Sequence, residues 1–125
     1  MIPKFRVWDK KEKQMCSVVS IWFSLGSIIL ENGMYVYERK FNEVELMQST
    51  GVTSIYDDNN TEIYEGDVVK TYSSPDGRFI GYVGNAVSRF EVRGVKQYEG
   101  WRDNLDGSYV VIGNKFQNPE LLEDN

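Results

Sequence analysis

Short runs of apolar residues alternate with clusters of turn-forming residues along most of this chain. The clearest pattern surrounds Asn32 and Gly33, which separate the apolar runs 28–31 and 34–37. Asn-Gly favours a two-residue hairpin turn, because both turn positions need a positive φ angle. The pattern therefore predicts a β-hairpin centred on these two residues.

Two further strands are predicted near the N-terminus. Phe5, Val7 and Trp8 form a short apolar run, and 15–23 is a longer run rich in valine, isoleucine and aromatic residues. The polar segment 9–13 between the two runs has the composition of a turn.

Two segments carry signals of short helices. In 41–46, Asn42 and Glu45 have the spacing of a capping box. The alternation of apolar and acidic residues there also fits a strand, which we favour. Near the C-terminus, Asn118 suits a helix cap and Pro119 a first helical position, which predicts one terminal turn.

The second half of the chain is a series of short apolar runs separated by turn residues, with predicted strands over 68–72, 79–83, 87–92 and 109–112. Turns are predicted over 57–60 and 74–77. Several short strands at this spacing are typical of a small antiparallel barrel, which removes exposed edges by closing on itself.

The composition favours strands over helices and removes several chemistries. The chain has 14 valines, 8 isoleucines and 8 tyrosines but a single alanine, Ala86. β-Branched and aromatic side chains suit a pleated surface, whereas a chain this poor in alanine makes poor helices. Histidine is absent, which excludes a Ser-His-Asp triad, a Cys-His dyad and a histidine-ligated zinc ion.

The net charge of −5 is unevenly distributed. Residues 1–40 carry +3, residues 41–68 carry seven anions and no cation, and residues 69–125 carry −1. An acidic central segment repels phosphate backbones and attracts basic partners, although charge runs of this kind are commonly solvated faces. The charge therefore disfavours nucleic acid as a partner.

Cysteine use and hydropathy indicate a cytoplasmic protein. Cys16 is the only cysteine, so it cannot form an internal disulfide, and its apolar neighbours predict a small buried residue. The N-terminal segment has no apolar signal core. The apolar run 18–30 is interrupted and falls short of the ~20 residues of a membrane span, so we expect no membrane partner.

Segments along nearly the whole chain resemble the YopX family of phage and prophage proteins. They are KFRVWD over 4–9 with Met15, ELMQSTG over 45–51, EIYEGDVV over 62–69, VIGN over 111–114 and NPELL over 118–122. The resemblance implies a mainly β (α+β) protein with a β-rich N-terminal subdomain over 1–58, containing little helix, and an SH3-like β-barrel over 59–125. It transfers no catalytic residue.

The residues that carry this resemblance are expected to be structural. They are Trp8, Asp9, Ile63, Tyr64, Glu65, Gly66, Asp67, Gly113, Asn114, Asn118 and Pro119. In EIYEGD, the carboxylates of 57–67 offer a metal or acid–base site as one interpretation. In the structural interpretation, Gly66 permits a bend and Asp67 bonds turn amides. A calcium loop starting at Asp57 or Asp58 fails, because positions six and twelve carry the wrong residues.

Aromatic residues interleave with cations over 78–102. The aromatics are Phe79, Tyr82, Phe90, Tyr98 and Trp101, and the cations are Arg78, Arg89, Arg93, Lys96 and Arg102. Such a set on one barrel face would stack single-stranded bases and follow phosphates. The alternative is an ordinary core with solvated charges. Candidate residues for a protein interface are Trp8, Trp101, Arg89 and Arg93.

We therefore expect a non-enzymatic phage accessory protein of unassigned biochemical activity in the cytoplasm of the bacterial host. It is expected to bind protein, either a host factor or further copies of itself as an oligomer, and to need no catalytic residue, cofactor or metal. Two alternatives stay open. One is a single-stranded nucleic-acid-binding module that uses the barrel face, and the less favoured one is a metal-dependent hydrolase that uses the 57–67 carboxylates.

Overall fold

The computed structural model describes residues 4–56, 61–71, 79–86 and 89–123, which form strands and short 3₁₀ helices. The strands are β1 (Phe5–Asp9), β2 (Gln14–Trp22), β3 (Ser27–Glu31), β4 (Val36–Lys40), β5 (Val44–Thr53), β6 (Glu62–Tyr64), β7 (Asp67–Thr71), β8 (Ile80–Ala86), β9 (Arg89–Gly94), β10 (Arg102–Asn104) and β11 (Tyr109–Asn114). The 3₁₀ helices are Phe23–Leu25, Phe41–Glu43, Lys96–Tyr98 and Pro119–Glu123. The predicted turns over 57–60 and 74–77 lie outside the described residues.

The α+β part of the predicted fold class is wrong, because the described residues contain no α-helix. Their helices are 3₁₀ segments of three to five residues at strand ends and in the C-terminal segment. Short 3₁₀ turns serve as connectors, and this β-branched sequence gives a longer helix little support. No helix in the described part of the chain has the length and apolar character to cross a membrane.

The strands form two antiparallel sheets. One has the order β4-β3-β2-β1-β5-β6, and the other has the order β10-β9-β8-β7-β11. The closed barrel predicted for the second half is not observed, since β10 and β11 end that sheet without pairing within the described residues. β10 is only three residues long and fully exposed. Natural sheets tolerate such short, charged edges without closure.

The chain divides into two compact units, Met1–Gln48 and Ser49–Asn125. The division falls inside β5, earlier than the boundary after residue 58 that the sequence predicts. The first half of β5 pairs with β1, and the second half pairs with β6. The pairing with β6 is irregular between Ser49 and Thr53, and Gly51 has a φ angle of 77°, so this glycine is the local sequence feature near the division.

The core of the first unit lies on one face of its sheet. Its buried members are Val7, Cys16, Ile28, Leu30 and Val44. β2 contains an irregularity between Val18 and Ser20, so that Val18 pairs with Leu30 and Ile21 pairs with Ile28. This extra residue keeps both β2 side chains on the core face.

The second unit has its own core, built from the five-stranded sheet together with β6. Its buried members are Ile63, Val69, Phe79, Val83, Val92 and Tyr109. Three of these residues are β-branched valines on neighbouring strands, as the composition predicts for a half-buried sheet.

The hairpin predicted around Asn32 and Gly33 is confirmed as β3 and β4, but its predicted turn is wrong. The loop has four residues, and the amide of Asn32 donates to the carbonyl of Tyr35 at 3.1 Å. Of the two predicted turn residues, Asn32 and Gly33, only Gly33 has a positive φ angle, at 96°. The Asn32 side chain instead accepts hydrogen bonds from the amides of Met34 and Tyr35 at 2.9 and 2.8 Å.

The ambiguous segment 41–46 contains both predicted structures in succession. A 3₁₀ helix over Phe41–Glu43 precedes β5. The predicted capping pair is wrong, because Glu43 and not Glu45 reaches back, accepting the amide of Lys40 at 2.8 Å. Glu45 lies in β5, where its carboxylate pairs with Lys10 at 3.3 Å.

Replacing Asn32 by alanine removes the acceptor for two loop amides. We expect Asn32→Ala to lower the free energy of unfolding by about 1 kcal/mol, measured by urea denaturation. Asn42→Ala is the matched control, since the exposed Asn42 side chain makes no hydrogen bond in the described part of the chain. Equal losses in the two variants would contradict this account of the loop.

Candidate functional site

Asp9 ends β1 as a completely buried carboxylate. Its Oδ1 atom accepts the amides of Lys11 at 2.9 Å and Glu12 at 3.3 Å, which closes the turn into β2. Its Oδ2 atom accepts the Tyr37 hydroxyl at 2.7 Å, and the Arg39 Nε atom lies 3.3 Å away. One side chain therefore connects the first turn to β4.

The surroundings of Asp9 determine its charge. Burial raises the pKa of Asp9, but the hydrogen bonds from Tyr37, the two turn amides and Arg39 outweigh it and lower the pKa below its ordinary value. Burial, together with the hydrogen bond to Asp9, raises the pKa of Tyr37. The carboxylate thus stays charged and the phenol stays protonated, as in a fixed structural pair and unlike an acid–base couple.

The network continues from Tyr37 toward β2. Gln14 donates to the Tyr37 hydroxyl at 3.1 Å, and the Cys16 Sγ atom lies 3.5 Å from it. Cys16 is buried, as predicted. A cleft of about 480 Å³ opens beside β4 and its hairpin loop. The polar groups of Tyr37 and Gln14 in its wall already bond to each other.

EIYEGD contains β6, the two-residue turn of Glu65 and Gly66, and the first residue of β7. Asp67 is buried, and its Oδ2 atom accepts the Tyr64 amide at 2.9 Å, which is the contact expected from its structural interpretation. Gly66 has a φ angle of 86°. Its amide donates to Val83 and its carbonyl accepts the amide of Lys115, both at 2.9 Å. The motif thus joins β6 and β7 to β8 and to the chain after β11.

Glu62, Glu65 and Asp67 are the carboxylates of this segment that the structure describes. Among the described residues, no group of three or more His, Cys, Asp or Glu side chains has metal-binding geometry. Asp57 and Asp58, which the metal hypothesis also uses, lie outside the described residues.

The C-terminal motif also forms a turn. The Asn114 Oδ1 atom accepts the amides of Phe116 and Gln117 at 3.1 and 2.8 Å. A Cβ atom at Gly113 would lie 2.6 Å from the Asn118 Oδ1 atom, so a larger residue there would displace the side chain that accepts the Asn114 amide at 3.2 Å. The 3₁₀ helix begins at Pro119, which confirms the predicted terminal turn.

The two predicted tryptophan anchors differ in exposure. Trp8 is half-buried in β1, opposite Met15 of β2. Trp101 is 63% exposed, and its ring centroid lies 5.6 Å from Phe79 and 6.4 Å from Tyr98. Trp101 therefore presents one side of its ring to solvent while its neighbours hold the other.

The structure separates the predicted cations from most of the predicted aromatics. Phe90 lies between Arg89 and Glu91 on β9 and packs against the core, whereas Arg93 lies on the opposite face over Gly84. Successive strand residues point to opposite faces, so Phe90 is separated from Arg89 and Arg93, whereas Tyr82 of β8 pairs with Arg93 and shares its face. Arg78 lies outside the described residues.

An apolar groove in the first unit was not predicted. It has a volume of about 320 Å³ and is lined by Ile21, Phe23, Ile28, Phe41, Val44 and Leu46. Phe23 is 76% exposed, and its ring meets that of Phe41 edge to face at 6.0 Å. Both rings lie on 3₁₀ turns distant in sequence, so periodicity within one strand could not reveal them. The one local signal is the apolar segment 21–23 directly before a turn.

The fold and these surfaces define an all-β protein whose most distinctive polar residues build turns. The family model described as YopX protein matches residues 4–123, and the chain belongs to this family. It is also similar to the crystal structure of protein EF1440 from Enterococcus faecalis, with 28% identity and a TM-score of 0.63, over 98% of this chain and 99% of that one. The comparison with curated proteins found no match.

Removing the charge of Asp9 tests the buried network. At pH 7, we expect Asp9→Asn to lower the free energy of unfolding by roughly 3 kcal/mol, because Arg39 and the turn amides lose their anion. The folded pKa lies below the ordinary 3.8, so this stabilisation is present above pH 3.8 and is lost as the pH falls through the folded pKa.

Urea titrations at pH 7, 5 and 3 should therefore show that the difference in the free energy of unfolding between parent and variant is smaller at pH 3 than at pH 7. Tyr37→Phe is the control, because it removes the hydroxyl that donates to Asp9 and keeps the carboxylate. This variant should lower the free energy of unfolding by about 1 kcal/mol. A pH-independent loss in Asp9→Asn would show that the charge of Asp9 does not stabilise the fold.

Proposed function

We propose that this YopX-family protein is a non-enzymatic phage or prophage accessory protein that acts by binding another protein in the cytoplasm of its bacterial host. The partner is a host factor or a second copy of the chain. The observation that carries this proposal is the apolar groove of the first unit.

The groove has the properties of a site for an apolar side chain. Its floor includes Ile28 and Val44, which are 1% and 7% exposed, whereas Phe23 at its rim is largely in solvent. A fixed floor with an exposed aromatic rim gains free energy when a partner covers the rim. None of the lining residues is charged, so the occupant is an aromatic or branched aliphatic side chain of a protein.

The other candidate functions have less support. Single-stranded nucleic acid needs aromatics and cations on one face, but Phe79 and Phe90 contribute to the core. A metal-dependent hydrolase would use the carboxylates of 57–67, but among the described residues no group of three or more His, Cys, Asp or Glu side chains could hold a metal ion.

We also propose that the second unit has an SH3-like fold. Strands β7 to β10 follow one another as a meander, and β11 returns beside β7. This connectivity, in a sheet that stays open within the described residues, supports describing the second unit as SH3-like.

Phe23→Ser tests the function by removing the exposed rim of the groove. We expect affinity capture from induced host cells, followed by mass spectrometry, to recover a partner with the parent protein. The amount of partner captured by the variant should be lower by about tenfold or more. Sedimentation of the purified protein tests the second copy as partner. The fold should persist, because Phe23 is largely exposed.

Met34→Ser is the matched control, since Met34 is an exposed apolar residue outside the groove, at 82% exposure. It should behave as the parent does. A strictly monomeric protein that captures no partner would refute the proposed function, and equal losses in both variants would refute the role of the groove.

A further inference from the structure

Three arginines lie on one face of the five-stranded sheet. Arg93 of β9 is directly opposite Arg102 of β10. Arg89 lies four residues before Arg93 on the same strand, and residues at even spacing share a face. We call these three residues the arginine face.

Arg93 is held in place by the sheet beneath it. Its Nε atom donates to Glu91 at 2.8 Å, and its second terminal nitrogen donates to the carbonyl of Asn85 at 3.2 Å. A Cβ atom at Gly84 would lie 2.7 Å from the Arg93 Cζ atom, so the guanidinium rests on bare backbone. Glu91 is only 3% exposed and neutralises one cation.

Arg89 and Arg102 leave a positive excess on this face. Both are exposed, and neither guanidinium has a hydrogen bond or an ion pair in the part of the chain that the structure describes. The pKa of Glu91 is lowered mainly by its hydrogen bond from Arg93. Arg102 and Arg89 lie close enough to contribute to the same lowering. The three arginines and Glu91 together therefore carry two positive charges that no ion pair among the described residues neutralises.

We propose that the arginine face is a docking surface for an acidic segment of a partner protein. Guanidinium groups bind carboxylates in a planar, two-bond geometry that suits this fixed array. Arg89 and Arg93 are four residues apart, which corresponds to about 13 Å along a strand. An extended segment with acidic side chains at alternate positions places three carboxylates on one side over this distance, and the first and third match the spacing of Arg89 and Arg93.

Charge and geometry favour an acidic protein segment over nucleic acid. Phosphate backbones are held by many cations acting together, whereas this face offers three and the chain carries −5 overall. The ring of Phe90 lies on the opposite side of β9, against the core. Tyr82 of β8 pairs with Arg93 and lies on the arginine face, so oligo(dT) is included in the test as the competing ligand. The proposal does not depend on the apolar groove, which lies in the other unit.

The test uses a fluorescein-labelled peptide of ten alternating glutamate and threonine residues, with fluorescence anisotropy as the readout. We expect the parent to bind it at low salt. The double variant Arg89→Gln/Arg102→Gln should bind about tenfold more weakly, because two exposed charge pairs are lost. Raising the salt to about 0.3 M should weaken binding by a similar factor.

Controls separate this face from net charge and from the apolar groove. Lys13→Gln/Lys40→Gln changes the net charge equally through exposed residues of the first unit and should bind the peptide nearly as the parent does. Phe23→Ser should also bind normally, so the two proposals fail independently. An alternating glutamine and threonine peptide should not bind.

Three outcomes would overturn the proposal. The first is no binding of the glutamate peptide at low salt. The second is an equal loss in the lysine control, which would show that net charge alone is responsible. The third is tighter, arginine-dependent binding of a ten-nucleotide oligo(dT), which would assign the face to nucleic acid.

Discussion

The first unit depends on one buried negative charge. The Asp9 carboxylate is removed from water, and it remains charged because amides, a phenol and a guanidinium converge on it. Such convergence requires the first turn and β4 to occupy fixed positions, since a partly satisfied buried anion is strongly destabilising. A hydrophobic residue would pack there without requiring these positions. The buried charge of Asp9 thus fixes the arrangement of a sheet whose apolar core is small.

The same device recurs at the other turns that carry the family resemblance. Asp67 and Asn114 are buried side chains whose oxygens accept backbone amides, as Asp9 does. Each of them satisfies a turn that would otherwise leave amides without acceptors in the interior. The residues by which the family is recognised thus preserve the paths of loops.

Much of this fold could be predicted from alternation and turn composition. Strands β1 to β4, β7 to β9 and β11, the hairpin of β3 and β4 and the terminal turn at Pro119 follow from local sequence. Strands β6 and β10 and the second half of β5 were not predicted, because they are short or interrupted by polar residues and glycine. The loop at Asn32 could not be predicted, because an asparagine side chain that caps amides looks the same in sequence as one that adopts a positive φ angle. The groove between Phe23 and Phe41 depends on tertiary contacts. The separation of Arg89 from Phe90 follows from strand alternation, once the strand itself is known.

Gly84 shows how a residue without a side chain can govern a charged surface. The Arg93 guanidinium lies flat because position 84 has no Cβ atom. An alanine there would push aside a flexible side-chain end and leave the backbone in place, so the fold would persist while the cation moved. A substitution at position 84 would therefore change how the arginine face binds an acidic partner without altering any arginine or the net charge. Comparisons of related chains that follow charged residues alone would miss that change.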